Sequence, residues 1–128
     1  VTITRTQERI DKTGEVFTPA ELVNQMLDRL PAELWTDPTK TFLDNSCGDG
    51  NFLVEVVRRK IAAGSTPTQA LETTYGVELM ADNATLCRQR LLKVAGNTKA
   101  HRVIVEHNIA CADALTFDYW APTLPLDD

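Results

Sequence analysis

The sequence contains no long uninterrupted apolar stretch, so neither a membrane span nor a signal peptide is expected. Cysteine is scarce and unpaired in pattern. Cys47, Cys87 and Cys111 are odd in number and widely spaced, which fits neither a disulfide scaffold nor a zinc site and points to a reducing, cytosolic location. Histidine is scarcer still: His101 and His107 have no cysteine pair beside them, so no metal is expected. Positive charge is also in deficit, with 13 Lys and Arg against 18 Asp and Glu and a net charge of −5. A domain that grips nucleic acid unaided usually presents a basic face, so independent tight DNA binding is excluded from the expectations. Internal repeats and low-complexity tracts are absent.

What is present is enough for one globular domain: 128 residues, 43% of them hydrophobic. Residues 1–16 are polar and carry Arg5, Arg9, Lys12 and Gly14, which reads as a flexible N-terminal arm. Residues 17–120 form the domain and residues 121–128 a C-terminal tail. Thr18-Pro19 followed by Glu21 reads as a capping box. The helix it opens is expected to bury Leu22, Val23, Met26, Leu27 and Leu30 and to stop at Pro31. Residues 41–44 read as a first strand and 51–63 as a helix ended by Gly64. Thr66-Pro67-Thr68-Gln69 repeats the cap pattern and opens a short helix to Glu72. Residues 74–79 read as a second strand, followed by a helix from Ala81 closed by Gly96, and a third strand lies within residues 103–111. This alternation predicts an α/β three-layer fold with parallel strands joined by right-handed crossovers. Arg58-Arg59-Lys60, and Arg88 with Arg90, read as solvated helix faces.

The run Phe42-Leu43-Asp44-Asn45-Ser46-Cys47-Gly48-Asp49-Gly50-Asn51 passes from an apolar strand through a glycine turn into an amphipathic helix. Gly48 and Gly50 permit positive φ and close approach of a ligand. The helix start offers N–H groups and a positive dipole end to an anion. Asp44 can accept hydrogen bonds from a cationic or hydroxylated ligand. Cys47 reads as a small packing residue of the turn, because no histidine near it in sequence would activate it as a nucleophile. By itself the run fits a ligand site and equally a β-turn-α connection that holds no ligand.

Four segments taken together resemble the cofactor half of the S-adenosylmethionine-dependent adenine-N6 DNA methyltransferases. Phe17-Thr18-Pro19 resembles the motif that closes over the methionine end of the cofactor. Asp44-Asn45-Ser46-Cys47-Gly48-Asp49-Gly50-Asn51-Phe52 is similar to the glycine-rich motif, with Asn45 where that family usually has proline. Asparagine tolerates the same turn. Tyr75-Gly76-Val77-Glu78-Leu79 resembles the second strand, whose acid takes the ribose hydroxyls and whose next residue lies against the adenine. Ala112-Asp113-Ala114-Leu115 is similar to the segment whose aspartate binds the adenine amino group. The resemblance, which runs from Phe17 to about Tyr119, implies a partial class I, Rossmann-like methyltransferase fold with a truncated parallel sheet. It also implies S-adenosylmethionine as cofactor, held by Phe17, Thr18, Pro19, Asp44, Ser46, Cys47, Gly48, Gly50, Phe52, Glu78, Leu79, Asp113 and Ala114.

Chemistry independent of the family agrees. A carboxylate at a strand end can accept both ribose hydroxyls, and in a doubly wound sheet the ligand lies outside the carboxyl ends of the strands, where Asp44, Glu78 and Asp113 would converge. The bland alternatives are a solvated helix-capping acid for Glu78 and a helix N-cap for Asp113.

The resemblance also implies a second motif that this sequence lacks. The family holds a flipped-out adenine with an Asn or Asp followed by two prolines and an aromatic residue, which accept the amino protons and stack on the base. The prolines here stand at 19, 31, 38, 67, 122 and 125, and no two are adjacent. In the resembled fold a fourth strand pairs beside the first, so the first strand is expected at an exposed edge that needs a cover. A homodimer or a partner protein through that edge is therefore expected, with DNA engaged only in a larger complex. The expected function is a cofactor-binding, methyltransferase-like protein that does not methylate alone and serves as a regulator or cofactor sequesterer. The alternatives are a subunit of a split adenine-specific methyltransferase completed by a partner, and an interaction module with a vestigial site.

Overall fold

The computed structural model describes residues 6–13 and 18–120. Three parallel strands, β1 (Phe42–Asp44), β2 (Thr74–Glu78) and β3 (Ile109–Cys111), form one sheet in the order β1-β2-β3. Phe42 pairs with Thr74 and Asp44 with Gly76; Gly76 pairs in turn with Ile109 and Glu78 with Cys111. Around the sheet run α1 (Gln7–Thr13), α2 (Ala20–Leu27), α3 (Glu33–Thr36), α4 (Asn51–Ala62), α5 (Pro67–Glu72), α6 (Ala81–Ala95) and α7 (Lys99–Asn108). The parallel α/β arrangement is the one that the alternation of elements predicts, and its three-stranded sheet fits the truncated Rossmann-like fold that the resemblance implies. Among the described residues no helix is long and apolar enough to cross a membrane.

Helix α4 organises the core because it is packed on two sides. Leu53, Val54 and Val57 join Cys87 and Leu91 of α6 and Ile104 and Val105 of α7 in one cluster. Val56 joins Val23 and Leu27 of α2 in another, with Trp35, Phe42 and Phe52 packed against it. Each such aliphatic side chain contributes about 1.5–3 kcal/mol by leaving water. Two-sided packing leaves α4 little solvated surface, and this corrects the reading of Arg58-Arg59-Lys60. Only Arg58 is exposed, paired with Glu55 at 2.7 Å. Arg59 donates to the Asn24 carbonyl and to Asp28, and lies 5.3 Å from the Trp35 ring centre. Lys60 is 1% exposed, and its ammonium donates to the Lys40 carbonyl at 2.6 Å and the Thr73 hydroxyl at 3.0 Å. Burial holds the Lys60 pKa below its ordinary value.

The two expected capping boxes have different outcomes. Thr66 accepts from the Gln69 N–H, and the Gln69 side chain accepts from the Thr66 N–H, so the box at α5 forms in full. At α2 it does not form: the cap is Pro19, with ψ 151°, and no side chain caps the helix. The Thr18 carbonyl accepts from the Asn51 side chain at 2.8 Å, and the helix begins at Ala20. Helix α2 also buries less than expected. Val23 and Leu27 are buried, whereas Leu22 and Met26, and Leu30 beyond the helix end, are exposed, because among the described residues α2 packs on α4.

The third strand lies within residues 103–111 as expected, at Ile109–Cys111, and the residues before it, Lys99–Asn108, form α7. The β-branched run Val103-Ile104-Val105 favours a strand locally, yet Ile104 and Val105 are buried and Val103 is exposed, the pattern of a helix packed on one face. Thr98 caps this helix by accepting from the His101 N–H. His101 bridges Gly96 and Thr68 through its two ring nitrogens, each at 2.8 Å. Helix α1 also stands where the sequence suggests little local structure, and the Arg9 guanidinium grips both carboxylate oxygens of Asp82 at 2.6 and 2.7 Å.

Candidate functional site

The turn after β1 is held at each end by backbone bonds. The Ser46 N–H donates to the Asp44 carboxylate at 3.0 Å, the Cys47 N–H to the Val77 carbonyl at 3.1 Å, and the Gly50 N–H to the Cys47 carbonyl at 2.9 Å. Gly48 and Gly50 have φ of 55° and 97°. Gly50 is required twice over: it takes left-handed backbone as the cap of α4, and a Cβ there would meet the Cys87 sulfur at 3.0 Å. Cys47 is buried in the core with Cys87. Hydrogen bonding to the Cys87 thiol and burial both push the Cys47 pKa up, which suits a packing residue and opposes a nucleophile. Beneath the turn, a Cβ on Gly76 would come within 2.8 Å of both the Cys47 sulfur and Leu53 Cδ1, so the turn and α4 rest directly on β2.

The strand-end acids follow a staircase set by the register. Asp44 lies opposite Gly76, Glu78 lies two residues farther along β2 and opposite Cys111, and Asp113 lies two residues beyond Cys111. Glu78 is 7% exposed. One of its oxygens accepts from the Gly48 N–H at 3.2 Å, the other from the Met80 N–H and the Asn83 amide, each at 3.1 Å. Burial raises the Asp44 pKa above the ordinary carboxylate value; the Ser46 N–H opposes this, and the Glu78 charge adds to it. Asp113 is exposed, and its carboxylate accepts from its own neighbour, the Leu115 N–H, at 2.9 Å. That local turn replaces the alternative of a helix cap, since residues 114–116 form a turn.

Asp44, Ser46, Cys47, Gly48, Gly50 and Glu78 are thus linked by direct bonds or packing. Leu79 is exposed just past β2, and Ala114, whose carbonyl accepts from the Tyr119 hydroxyl, sits just past β3. Phe52 turns to the α2 cluster. Thr18 joins the turn through its carbonyl, bonded to Asn51 at 2.8 Å, and Pro19 begins α2. Phe17 lies outside the described residues.

Four residues of the site escaped the sequence reading. In sequence Gly76 reads as part of a strand, Asn51 as the last residue of the glycine run and the start of a helix, and Asn83 carries no signal. Arg90, read as solvated, donates to the Asp49 carbonyl at 3.0 Å and the Asn51 side-chain oxygen at 2.7 Å, with the Asp49 carboxylate at 3.3 Å. Arg88 is likewise engaged, donating to the Ile109 carbonyl. A hint existed in their spacing: two residues apart on a helix, the pair cannot share one face. Among the described residues no cluster of His, Cys, Asp and Glu could hold a metal ion. The arrangement sets a rim of acids beside a glycine turn whose Ser46, Cys47, Gly48 and Gly50 N–H groups are donated within the protein, which suits a ligand carrying hydroxyl or amino donors.

Comparison with known proteins bears on this geometry. The sequence model of the family described as N-6 DNA Methylase matches residues 3–123. The chain is also similar to the Type II methyltransferase M.VspI of Vibrio sp. (strain 343), with 31% identity over 109 residues. That match covers 85% of this chain and 22% of the relative, so the chain spans less than a quarter of the relative's length.

Proposed function

The chain belongs to the N-6 DNA Methylase family, and on that premise we propose that it holds S-adenosylmethionine at the carboxyl ends of its strands. In this reading it forms the cofactor part of an adenine-N6 DNA methyltransferase. The observation that carries the reading is the bond between the Glu78 carboxylate and the Gly48 N–H, which makes the strand-end acid and the glycine turn parts of one site. Glu78 takes the ribose hydroxyls with Leu79 against the adenine, Asp113 and Ala114 meet the adenine edge, and the turn with Asp44, Thr18 and Pro19 faces the methionine end. Bound there, the cofactor supplies a sulfonium methyl group for attack by an amino nitrogen.

This stretch does not complete the transfer alone. It has no adjacent prolines, and the family's means of gripping a flipped adenine is an Asn or Asp followed by such a pair. The missing element comes from outside these residues, on a further segment or a separate chain. Strand β1 is where such a partner, or a second copy, attaches: among the described residues it pairs with β2 alone, and Leu43 on it is 50% exposed. The exposed Leu22 and Met26 of α2 extend the apolar surface available for contact.

Isothermal titration with S-adenosylmethionine and its demethylated product tests the reading. Saturable binding is expected, and its loss in Asp44→Ala and Glu78→Ala; no binding up to millimolar ligand would overturn it. Methyl transfer to adenine-containing DNA by the chain alone would overturn the claim that the acceptor element lies elsewhere.

A further inference from the structure

The Glu78 carboxylate is held by three donors, all of them neutral. The Gly48 N–H meets Oε1 at 3.2 Å, while the Met80 N–H and the Asn83 amide meet Oε2 at 3.1 Å each. Among the described residues no Lys, Arg or His pairs with it. A charge that is 7% exposed and held by dipoles alone depends on each of them, because no cation makes up for a lost one. Two of the three are main-chain groups, set by the glycine turn and by the approach to α6. The third, Asn83, is the one side chain, and it is 1% exposed. Its neighbours on α6, Ala84 and Cys87, are fully buried, so position 83 is one that a leucine of similar volume could fill with no polar group to satisfy. The polarity there is explained by what the amide bonds to. Asn83 is engaged by other groups as well, and Glu78 is the partner that lies in the candidate site. The last torsion of a glutamate is broad and roughly two-fold, so a carboxylate bonded on one oxygen alone can swing. Bonds on both oxygens, from the turn after β1 and from α6, fix its plane.

We propose that Asn83 is a positioning residue for ribose recognition: it holds the Glu78 carboxylate in the plane that meets the ligand's hydroxyls, and acts only through Glu78. The proposal rests on the cofactor reading above. It makes a specific demand, since the effect of Asn83 must vanish for a ligand that has no ribose hydroxyls. A role in packing alone does not meet that demand, because a loosened α6 would weaken both kinds of ligand.

The test is calorimetric titration of the wild-type chain and Asn83→Leu with two ligands, S-adenosylhomocysteine and its 2′,3′-dideoxy analogue. The wild-type chain is expected to prefer the ligand with hydroxyls by about tenfold or more. Asn83→Leu is expected to weaken S-adenosylhomocysteine by about tenfold, as for loss of a hydrogen bond to a charged group, and to leave the dideoxy analogue within about twofold of its wild-type affinity. The preference for hydroxyls therefore collapses in the variant. Equal weakening of both ligands would reveal a merely structural role and overturn the proposal, as would unchanged S-adenosylhomocysteine binding in a folded Asn83→Leu. If Asn83→Leu is unfolded by circular dichroism, Asn83→Ala, which also lacks the donor and is smaller, carries the same ligand comparison. Equal affinity of the wild-type chain for the two ligands would overturn this proposal and the ribose role of Glu78 while leaving cofactor binding in place. Failure of the wild-type chain to bind either ligand would instead overturn the cofactor reading itself, and this proposal with it.

Discussion

Glu78 at the end of β2 and Asp113 just beyond β3 are both acids at the carboxyl edge of one parallel sheet, yet their surroundings differ. Glu78 is buried and accepts from three donors in three places: the turn after β1, the start of the following connection, and α6. Asp113 is exposed and bonded to the backbone two residues ahead of it. The neighbours repeat the contrast. Beneath Glu78 the turn presses on β2 so closely that Gly76 has no room for a Cβ, whereas past Asp113 the Trp120 ring is 94% exposed. The surroundings of Glu78 are fixed by tertiary packing. Those of Asp113 are held by the Ala112 N–H bond to the Glu78 carbonyl and otherwise by local turns.

The sharpest way to break this contrast is to wedge the packed half apart. Gly76→Val puts atoms inside contact distance of Cys47 and Leu53, and is expected to cost about 3 kcal/mol or more and lower Tm by roughly 10 °C in thermal denaturation. A melting curve unchanged from wild type would mean that the turn does not rest on β2. Next in size is the acid pair itself. Glu78→Gln sets an amide among three donors and is expected to destabilise by about 1–3 kcal/mol, while Asp113→Asn stays within about 0.5 kcal/mol. Equal losses in urea denaturation would erase the difference between the two acids.

The smallest effect concerns Asp44. Its folded-state pKa is raised by burial, so in the window above the ordinary carboxylate pKa the folded chain binds more protons than the unfolded chain. Stability therefore falls as pH rises through that window. Asp44→Asn removes the buried charge and keeps an oxygen for the Ser46 N–H, and is expected to raise Tm by about 1–3 °C at neutral pH. The gain should shrink as pH falls below the ordinary carboxylate value, where Asp44 is protonated in both states. A gain that persists there would assign the effect to something other than ionisation.

Much of the architecture was legible because its signals are local. The full capping box at Thr66 and Gln69, the left-handed glycines at 64 and 96, and the glycine turn after β1 each act within a few residues, and each stands where the pattern puts it. Legibility failed where distant packing outvoted local preference. The strand expected within residues 103–111 is there, but only the packing of Ile104 and Val105 with α6 shows that it is confined to Ile109–Cys111 and preceded by a helix. Thr18 has the chemistry of a cap, but Pro19 takes the cap position and no side chain caps the helix. Leu22 and Met26 have the spacing of a buried face, but α2 meets the molecule along another line. The basic residues were the largest miss: Lys60, Arg88 and Arg90 look like surface charge in sequence, and each is directed at backbone carbonyls.

The sequence by itself determined the alternation of helix and strand, the parallel sheet that follows from it, the glycine turn, and the acids at successive strand ends, since propensity, capping and chirality are properties of short stretches of chain. Only the tertiary structure decided which of those acids is buried, why Gly76 must be glycine, and that Arg90 serves the turn rather than the solvent. Those outcomes depend on the meeting of residues far apart in the chain, 30 apart for Gly48 and Glu78 and 39 for Asn51 and Arg90. No short-range preference encodes such a meeting. It is settled when the apolar faces of α4 and α6 pack, and the polar groups brought along with them must find partners where they land.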